Sequence, residues 1–206
     1  MAMVTDPPPR NQNLKSFDAS DRLELVSLPS DGQLAKIAAT IDTAMRTGTI
    51  GAVHRGCQEF LGAACDFYRV PSCSIRVLAA RPLRVREHST TELFGDYHSD
   101  TKVIRVWMRT AIRKDITSFG TFLSTLCHEI CHHLDFHKFR FRDSWHTRGF
   151  YQRAAMLYHH SRGTPVKQLV WAPLPRRRWR IDWPQTIRGS AAASISTALN
   201  SDRKVT

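Results

Sequence analysis

Residues 128–132 read His128-Glu129-Ile130-Cys131-His132, with two histidines four residues apart and a glutamate beside the first. Two histidines four residues apart on a helix project from the same face, so both imidazoles can reach one metal ion. The intervening Glu129 then lies beside the coordination position that the histidines leave open. The stretch therefore predicts a zinc site with His128 and His132 as ligands and Glu129 as general base.

The residues around this motif predict a long helix from about 117 to 136. At 100° per residue its apolar side chains gather into one stripe, and the two histidines fall on the opposite side. The stripe consists of Phe119, Phe122, Leu123, Leu126, Ile130 and Leu134. One face of the helix is therefore expected to form core and the other to line a cleft. Cys127 and Cys131 flank the stripe and are interpreted as buried thiols, and His133 as a packed or hydrogen-bonded histidine.

His146 is the expected third ligand. Asp143-Ser144 suits the N-cap of a second helix that would carry His146 and end near Ser161, before Gly163. Taken alone, a histidine on the buried side of such a helix would be interpreted as a core residue. Beside the two histidines of the motif, it completes a three-histidine zinc site.

Upstream of the motif the chain predicts two helices followed by short strands. Apolar residues recur at helical spacing from 34 to 45 and from 53 to 68. The period then changes to two at 74–77, 83–86 and 103–108, which is typical of strands, whereas 94–100 is rich in turn residues. We expect an α+β fold in which helices pack on a short mixed or antiparallel sheet and the metal-binding helix lines a cleft. Strand 103–108 is the candidate edge of that cleft, where an extended substrate would add as a further strand.

The two ends of the chain differ in composition from the middle. Residues 1–20 hold three consecutive prolines and little apolar surface, so they are expected to be disordered. Residues 21–163 are expected to form one domain, and 164–206 a basic arm rich in Trp, Arg and Pro. From Arg162 onward there are nine Lys and Arg against two Asp, so most of the formal net charge of +12 lies in this region. Such a charge attracts polyanions, nucleic acid first.

Two interpretations of the basic arm stay open. In one, arginines hold phosphates while tryptophan stacks on exposed bases, as in the binding of single-stranded DNA. The candidate contacts are Arg176, Arg177, Arg178, Trp179 and Arg180. In the other, 169–183 is an extended arm whose tryptophans pack back over the core while the arginines are solvated. The polar end from Gly189 is expected to be flexible.

Several features favour a cytoplasmic protein with no membrane partner. The chain starts without the apolar core of a secretory signal, and it has no apolar run long enough to span a bilayer. Its five cysteines are an odd number without paired C-x-x-C spacing, which suits a reducing compartment.

On these residues the chain resembles the SprT-like zinc metalloproteases, a family that includes the Spartan type proteases acting on proteins crosslinked to DNA. The resemblance covers roughly residues 90–160 and includes a turn at Gly95, strand 103–108, the motif helix and His146. The family's usual His-Gly-x-x-aromatic pattern reads His146-Thr147-Arg148-Gly149-Phe150, with the glycine displaced. No cysteine follows Cys131, which excludes the four-cysteine zinc ribbon of bacterial members. The resemblance implies a zincin-like fold for the central domain.

The resulting hypothesis is a zinc-dependent metalloendopeptidase that cleaves extended protein substrates, DNA-associated or DNA-crosslinked proteins among them, with single-stranded or damaged DNA as a candidate partner. Glu129, the only glutamate after residue 93, would take a proton from the zinc-bound water and pass it to the leaving amine. Tyr97 and Arg148 are both candidates to stabilise the oxyanion. Two alternatives are a nucleic-acid-binding protein with a structural zinc site and a regulatory peptidase that cleaves one dedicated partner.

Overall fold

The computed structural model describes residues 3–10, 12–86 and 89–189. Within these ranges the helices are α1 (Leu14–Arg22), α2 (Gln33–Thr47), α3 (Ile50–Tyr68), α4 (Phe119–His137) and α5 (Arg148–Arg162), and residues 183–189 are also helical. The strands are β1 (Ser74–Ala80), β2 (Leu83–Arg86), β3 (Ser89–Glu92), β4 (Gly95–His98), β5 (Val103–Arg109), β6 (Trp171–Leu174) and β7 (Arg178–Ile181). The expected α+β class is confirmed.

The main sheet in the described part of the chain has the strand order β1-β5-β4 and is mixed. β1 runs parallel to β5, and β4 runs antiparallel to β5 with Gly95 opposite Val106. The prediction that strand 103–108 forms the cleft-side edge is therefore wrong, because β5 is hydrogen-bonded on both sides. The edge is β4, which lies in the stretch expected to be mostly turn.

The core lies between this sheet and helices α2, α3 and α4. Its fully buried side chains include Ile41 on α2, Phe60 on α3, Ile104 on β5 and Leu126 on α4. The apolar stripe of α4 packs on β4 and β5. The two motif histidines lie outside this stripe, and they line the same cleft as residues 95–97 of the edge strand β4.

The prediction that residues 1–20 are disordered is wrong for the part of this segment that the structure describes. α1 buries Phe17 and Ser20, which are 5% and 0% exposed. Closer to the N-terminus, the Thr5 amide donates to the Trp179 carbonyl over 2.8 Å, and Val4 forms a bridge with Arg180. The composition of the segment does not reveal this because its partners lie on β7 and α5, more than a hundred residues further along the chain.

The described part of the basic arm, residues 164–189, packs back on the same body. Leu169 and Ile181 are buried, β6 and β7 form an antiparallel hairpin, and the Trp171 ring lies 6.0 Å from that of Tyr151. This favours the packing interpretation for the apolar residues of the arm. The expected divisions before residue 21 and after residue 163 therefore do not separate packing units, and the expected flexible end beyond Gly189 lies outside the described residues.

No helix within the described ranges is long and apolar enough to cross a bilayer. The five cysteines, all of which lie within those ranges, are free and buried, as expected for Cys127 and Cys131.

Candidate metal centre

The side-chain nitrogens of His128, His132 and His146 converge on one point. Nε2 of His128 lies 3.0 Å from Nε2 of His146 and 3.2 Å from Nε2 of His132. One ligand atom from each residue lies within 4.8 Å of the other two. Tetrahedral nitrogen ligands about 2.0–2.1 Å from a zinc ion are separated by about 3.3 Å, so the three residues fit one ion of that size. The expected histidine cluster is therefore present as a group that could hold a metal.

Polar contacts on the far side of two rings determine where their lone pairs point. Ser144 Oγ donates to Asp135 Oδ2 over 2.9 Å, so Ser144 accepts the hydrogen of His132 Nδ1, which lies 2.7 Å away. The carboxylate of Asp6, an acceptor only, lies 3.3 Å from His146 Nδ1. The Nε2 atoms of His132 and His146 are therefore unprotonated, and each directs its lone pair toward the centre of the histidine cluster. Lone pairs that point at one another in this way are favourable when a cation lies between them.

The surroundings of His128 and His132 favour the neutral form of both imidazoles. Burial, helped by the neighbouring His146, lowers the pKa of His128 to about 3. Burial likewise holds the pKa of His132 well below its ordinary value. Removal from water disfavours the charged form of a histidine, and the neutral form is the one that binds metal.

A buried ion pair lies behind His132. Arg153 Nη2 donates to Asp135 Oδ1 over 2.7 Å, and the two side chains are 1% and 0% exposed. Burial raises the pKa of Asp135 to about 6, while Arg153 and Ser144 act in the opposite direction. Arg153 also donates to the carbonyls of Ser20 and Leu23 at the end of α1. A continuous set of contacts thus connects α1 to His132.

Glu129 lies against the edge strand. A Cβ atom on Gly95 would lie 2.8 Å from Glu129 Oε1, so the absence of a side chain at residue 95 leaves room for the carboxylate. Glu129 is 5% exposed, and its burial, together with the charge of Asp96, raises its pKa to about 8. The carboxylate and the three histidines line a common cleft of about 420 Å³, whose walls are β4, α4 and residues 143–146.

Both residues expected to stabilise an oxyanion already have polar partners elsewhere. Tyr97 lines the cleft, but its hydroxyl lies 2.9 Å from His133 Nδ1 and 3.3 Å from His137 Nε2. This also confirms His133 as a hydrogen-bonded histidine. The guanidinium of Arg148 pairs with Asp21 and stacks 4.6 Å from the centre of the Trp179 ring.

The expected helix start at Asp143-Ser144 is wrong. α5 begins at Arg148 and is capped by Thr147, whose hydroxyl accepts from the amide of Phe150 over 3.1 Å. His146 consequently lies in the segment before the helix, where no helical backbone fixes its direction. Ser144, expected as a cap, instead connects His132 to Asp135.

Four supporting residues were not recognised from the sequence as part of the site: Asp6, Asp135, Ser144 and Arg153. Asp135 follows His132 by three residues on the same helix, and this spacing was the only local signal. Ser144 lies 12 residues after His132 and Arg153 lies 18 residues after Asp135, outside the range of a helical period, and Asp6 lies 140 residues before His146.

The candidate nucleic-acid contacts lie on the β6–β7 hairpin, where the ring of Trp179 is not free to stack on a base. Arg176 and Arg177 are exposed at its tip and have φ values of 63° and 54°. Arg180 is exposed, Arg178 is half-buried, and Trp179 is half-buried with its ring covered by Arg148. The exposed arginines therefore face solvent, whereas the aromatic ring of Trp179 is already stacked against Arg148.

Comparisons with protein-family models, with curated proteins and with solved structures found no match for this chain. The resemblance to SprT-like metalloproteases thus stays a prediction from the sequence motifs.

Proposed function

We propose that this protein is a zinc-dependent metalloendopeptidase of the SprT-like, zincin-like type. The observation that carries the proposal is the convergence of three imidazole Nε2 atoms beside a buried glutamate, at the wall of a cleft bounded by an edge strand. The five free, buried cysteines are in keeping with the reducing, cytoplasmic location that we also propose.

Zinc is the metal we propose because all three candidate ligands are imidazoles. Three histidines leave one position open in a tetrahedral site, which is the arrangement of catalytic rather than structural zinc. Zinc, when bound, would supply a Lewis acid that polarises a carbonyl and lowers the pKa of a water molecule.

Glu129 is the proposed general base. Its carboxylate, held between α4 and Gly95, would accept a proton at Oε1 and return it to the leaving amine. The raised pKa suits an acceptor that must also release its proton, and a cation beside it would lower the value toward neutral pH.

The edge strand β4 is the proposed binding site of the substrate. It borders the cleft, and it has no strand partner on its outer side among the described residues. A peptide can pair with such an edge only in extended form, which favours unfolded or flexible protein segments over compact ones.

The decisive experiment compares the parent protein with Glu129→Gln and His146→Ala. We expect Glu129→Gln to retain stoichiometric zinc and lose casein cleavage, since the amide cannot accept the proton, whereas His146→Ala should lose zinc. Cleavage by the Gln variant at the parental rate would refute the mechanism. Stoichiometric zinc without hydrolysis of any unfolded substrate by the parent would favour the alternative of a structural zinc site. Cleavage restricted to one protein and unaffected by DNA would favour a dedicated regulatory peptidase.

A DNA partner is proposed from the exposed arginines of the hairpin tip. Because both Arg176 and Arg177 adopt the left-handed conformation that glycine or asparagine prefers, the turn presents charge at some cost in backbone strain. Changing both to Gln should weaken binding of single-stranded DNA and reduce the salt dependence of log K by about 1 to 2. The matched control is Lys36→Gln with Arg46→Gln on α2, which removes the same exposed charge elsewhere. Equal effects of the two pairs would contradict a specific contact.

A further inference from the structure

Asp6 makes close contacts with the proposed ligand His146. Its Oδ2 accepts the backbone amide of His146 over 2.9 Å and lies 3.3 Å from Nδ1 of the ring. The backbone amide of Asp6 in turn donates to the His146 carbonyl over 3.0 Å. One carboxylate oxygen thus contacts both the main chain and the imidazole of the same residue.

The segment that carries Asp6 is hydrogen-bonded to the β6–β7 hairpin. The Thr5 amide donates to the Trp179 carbonyl over 2.8 Å, and the Trp179 amide donates to Thr5 Oγ1 over 2.8 Å. The hydroxyl of Tyr151 donates to the Val4 carbonyl over 3.2 Å. Residues 3–6 therefore form a strap that runs from β7 to His146.

The directions of the other two histidine side chains depend less on contacts with such a segment. His128 and His132 project from the rigid helix α4, and the ring of His132 is also fixed by Ser144 and the buried Asp135. His146 precedes α5, so its direction depends on its neighbours. A partner that takes the Nδ1 hydrogen of a ligating histidine fixes the ring and turns the Nε2 lone pair to the metal.

We propose that Asp6 is a positioning residue for His146, and that the strap of residues 3–6 sets the metal affinity of the site. The inference rests on the proposed metal site but not on peptide hydrolysis. It gives the hairpin a role besides any contact with DNA, because β7 holds the strap in place.

The test measures zinc affinity of the full chain by competition with a chelating dye. Asp6→Ala removes the acceptor, and we expect zinc affinity to fall about 10- to 100-fold, the usual effect of losing the partner of a ligating histidine. Asp6→Asn keeps an oxygen acceptor without the charge and should lose less. Asp18→Asn is the matched control, a change on α1 whose carboxylate lies 3.9 Å from Arg177, and this variant should bind zinc as the parent does.

A second variant tests the strap separately from the carboxylate. Thr5→Val keeps the shape of the side chain but removes the acceptor of the Trp179 amide, and it should weaken zinc binding in the same direction, by less than Asp6→Ala. The visible spectrum of the cobalt-loaded protein should also change in Asp6→Asn, because the geometry of the His146 ligand changes. A general loss of folding would not alter that spectrum at matched cobalt occupancy.

Thermal unfolding of the metal-free variants separates local from global effects. If Asp6→Ala unfolds at a much lower temperature than the parent, Asp6→Asn decides the question through its spectrum and affinity. The proposal would be overturned if Asp6→Asn kept the zinc affinity and the cobalt spectrum of the parent and a folded Asp6→Ala also kept the parental zinc affinity. A parent that binds no zinc would refute the metal site itself, whereas a parent that binds zinc without cleaving protein leaves this test in force.

Discussion

Replacing Gly149 with alanine is expected to destabilise the protein because α1 lies directly on this residue. A Cβ atom there would lie 2.2 Å from the Ser20 carbonyl oxygen, 2.6 Å from that of Leu23 and 2.9 Å from that of Asp21. All three are main-chain atoms at the end of α1, which cannot rotate away as a side chain could. This contact also explains why the chain has glycine at residue 149.

The size of the effect follows from these distances. A carbon–oxygen contact needs about 3.2 Å or more, so α1 would have to move by about 1 Å, and overpacking of this kind typically costs about 1–3 kcal/mol. The movement would also disturb the hydrogen bonds from Arg153 to Ser20 and Leu23, in which a charged donor contributes about 1.5–3 kcal/mol. We therefore expect a loss of at least about 2 kcal/mol, or about 4–8 °C in Tm for a chain of this length.

The assay is urea unfolding of the metal-free protein, followed by circular dichroism. Metal must be absent because binding would add its own contribution to stability. Gly62→Ala is the matched control: Gly62 is exposed in the middle of α3, and a Cβ there would meet nothing within 4 Å. It should stabilise the protein by about 0.5–1 kcal/mol, since alanine favours a helix over glycine. Equal stability of Gly149→Ala and the parent would refute the close packing of α1 on α5.

Three further predictions concern the cleft and its support. Gly95→Ala should reduce proteolysis about 10- to 100-fold with zinc content unchanged, because the new methyl group displaces the Glu129 carboxylate; a parental rate would contradict the contact. Ser144→Ala should weaken zinc binding about tenfold, as it removes the acceptor for His132, and dye competition that shows no change would exclude this role. Phe17→Ala should cost about 3 kcal/mol or more in unfolding free energy, whereas an unchanged midpoint would indicate a loosely attached N-terminus.

Much of the local structure around the candidate metal centre was predictable from the sequence. The position of the two motif histidines opposite the apolar stripe follows from the 3.6-residue period of a helix, which is a property of the chain itself. The third histidine was found by a similar argument, although the helix assigned to it begins after His146, at Arg148. An error of a few residues in a helix start is expected when the N-cap is inferred from residue types alone.

The edge of the sheet was not predictable in the same way. β4 reads Gly95-Asp96-Tyr97-His98, residues more typical of a turn than of a strand, and it forms a strand by pairing with β5. β5 is not the edge because β1, almost thirty residues earlier, pairs with its other side. The sequence pattern shows which residues alternate between two faces. It does not show which strand lacks a neighbour, because that is decided by tertiary contacts.

The motif His128-Glu129-x-x-His132 by itself determined the helix, its cleft-facing side and the type of candidate metal ligands that this protein offers. Only the tertiary structure decided how those ligands are held: Asp6 at one end of the chain, the hairpin at the other, and the ion pair of Asp135 with Arg153 between α4 and α5. The physical reason is the separation along the chain of the residues that determine each feature. A helical period depends on neighbours within two turns, whereas the partner of an imidazole Nδ1 can come from any segment that packing brings within about 3 Å.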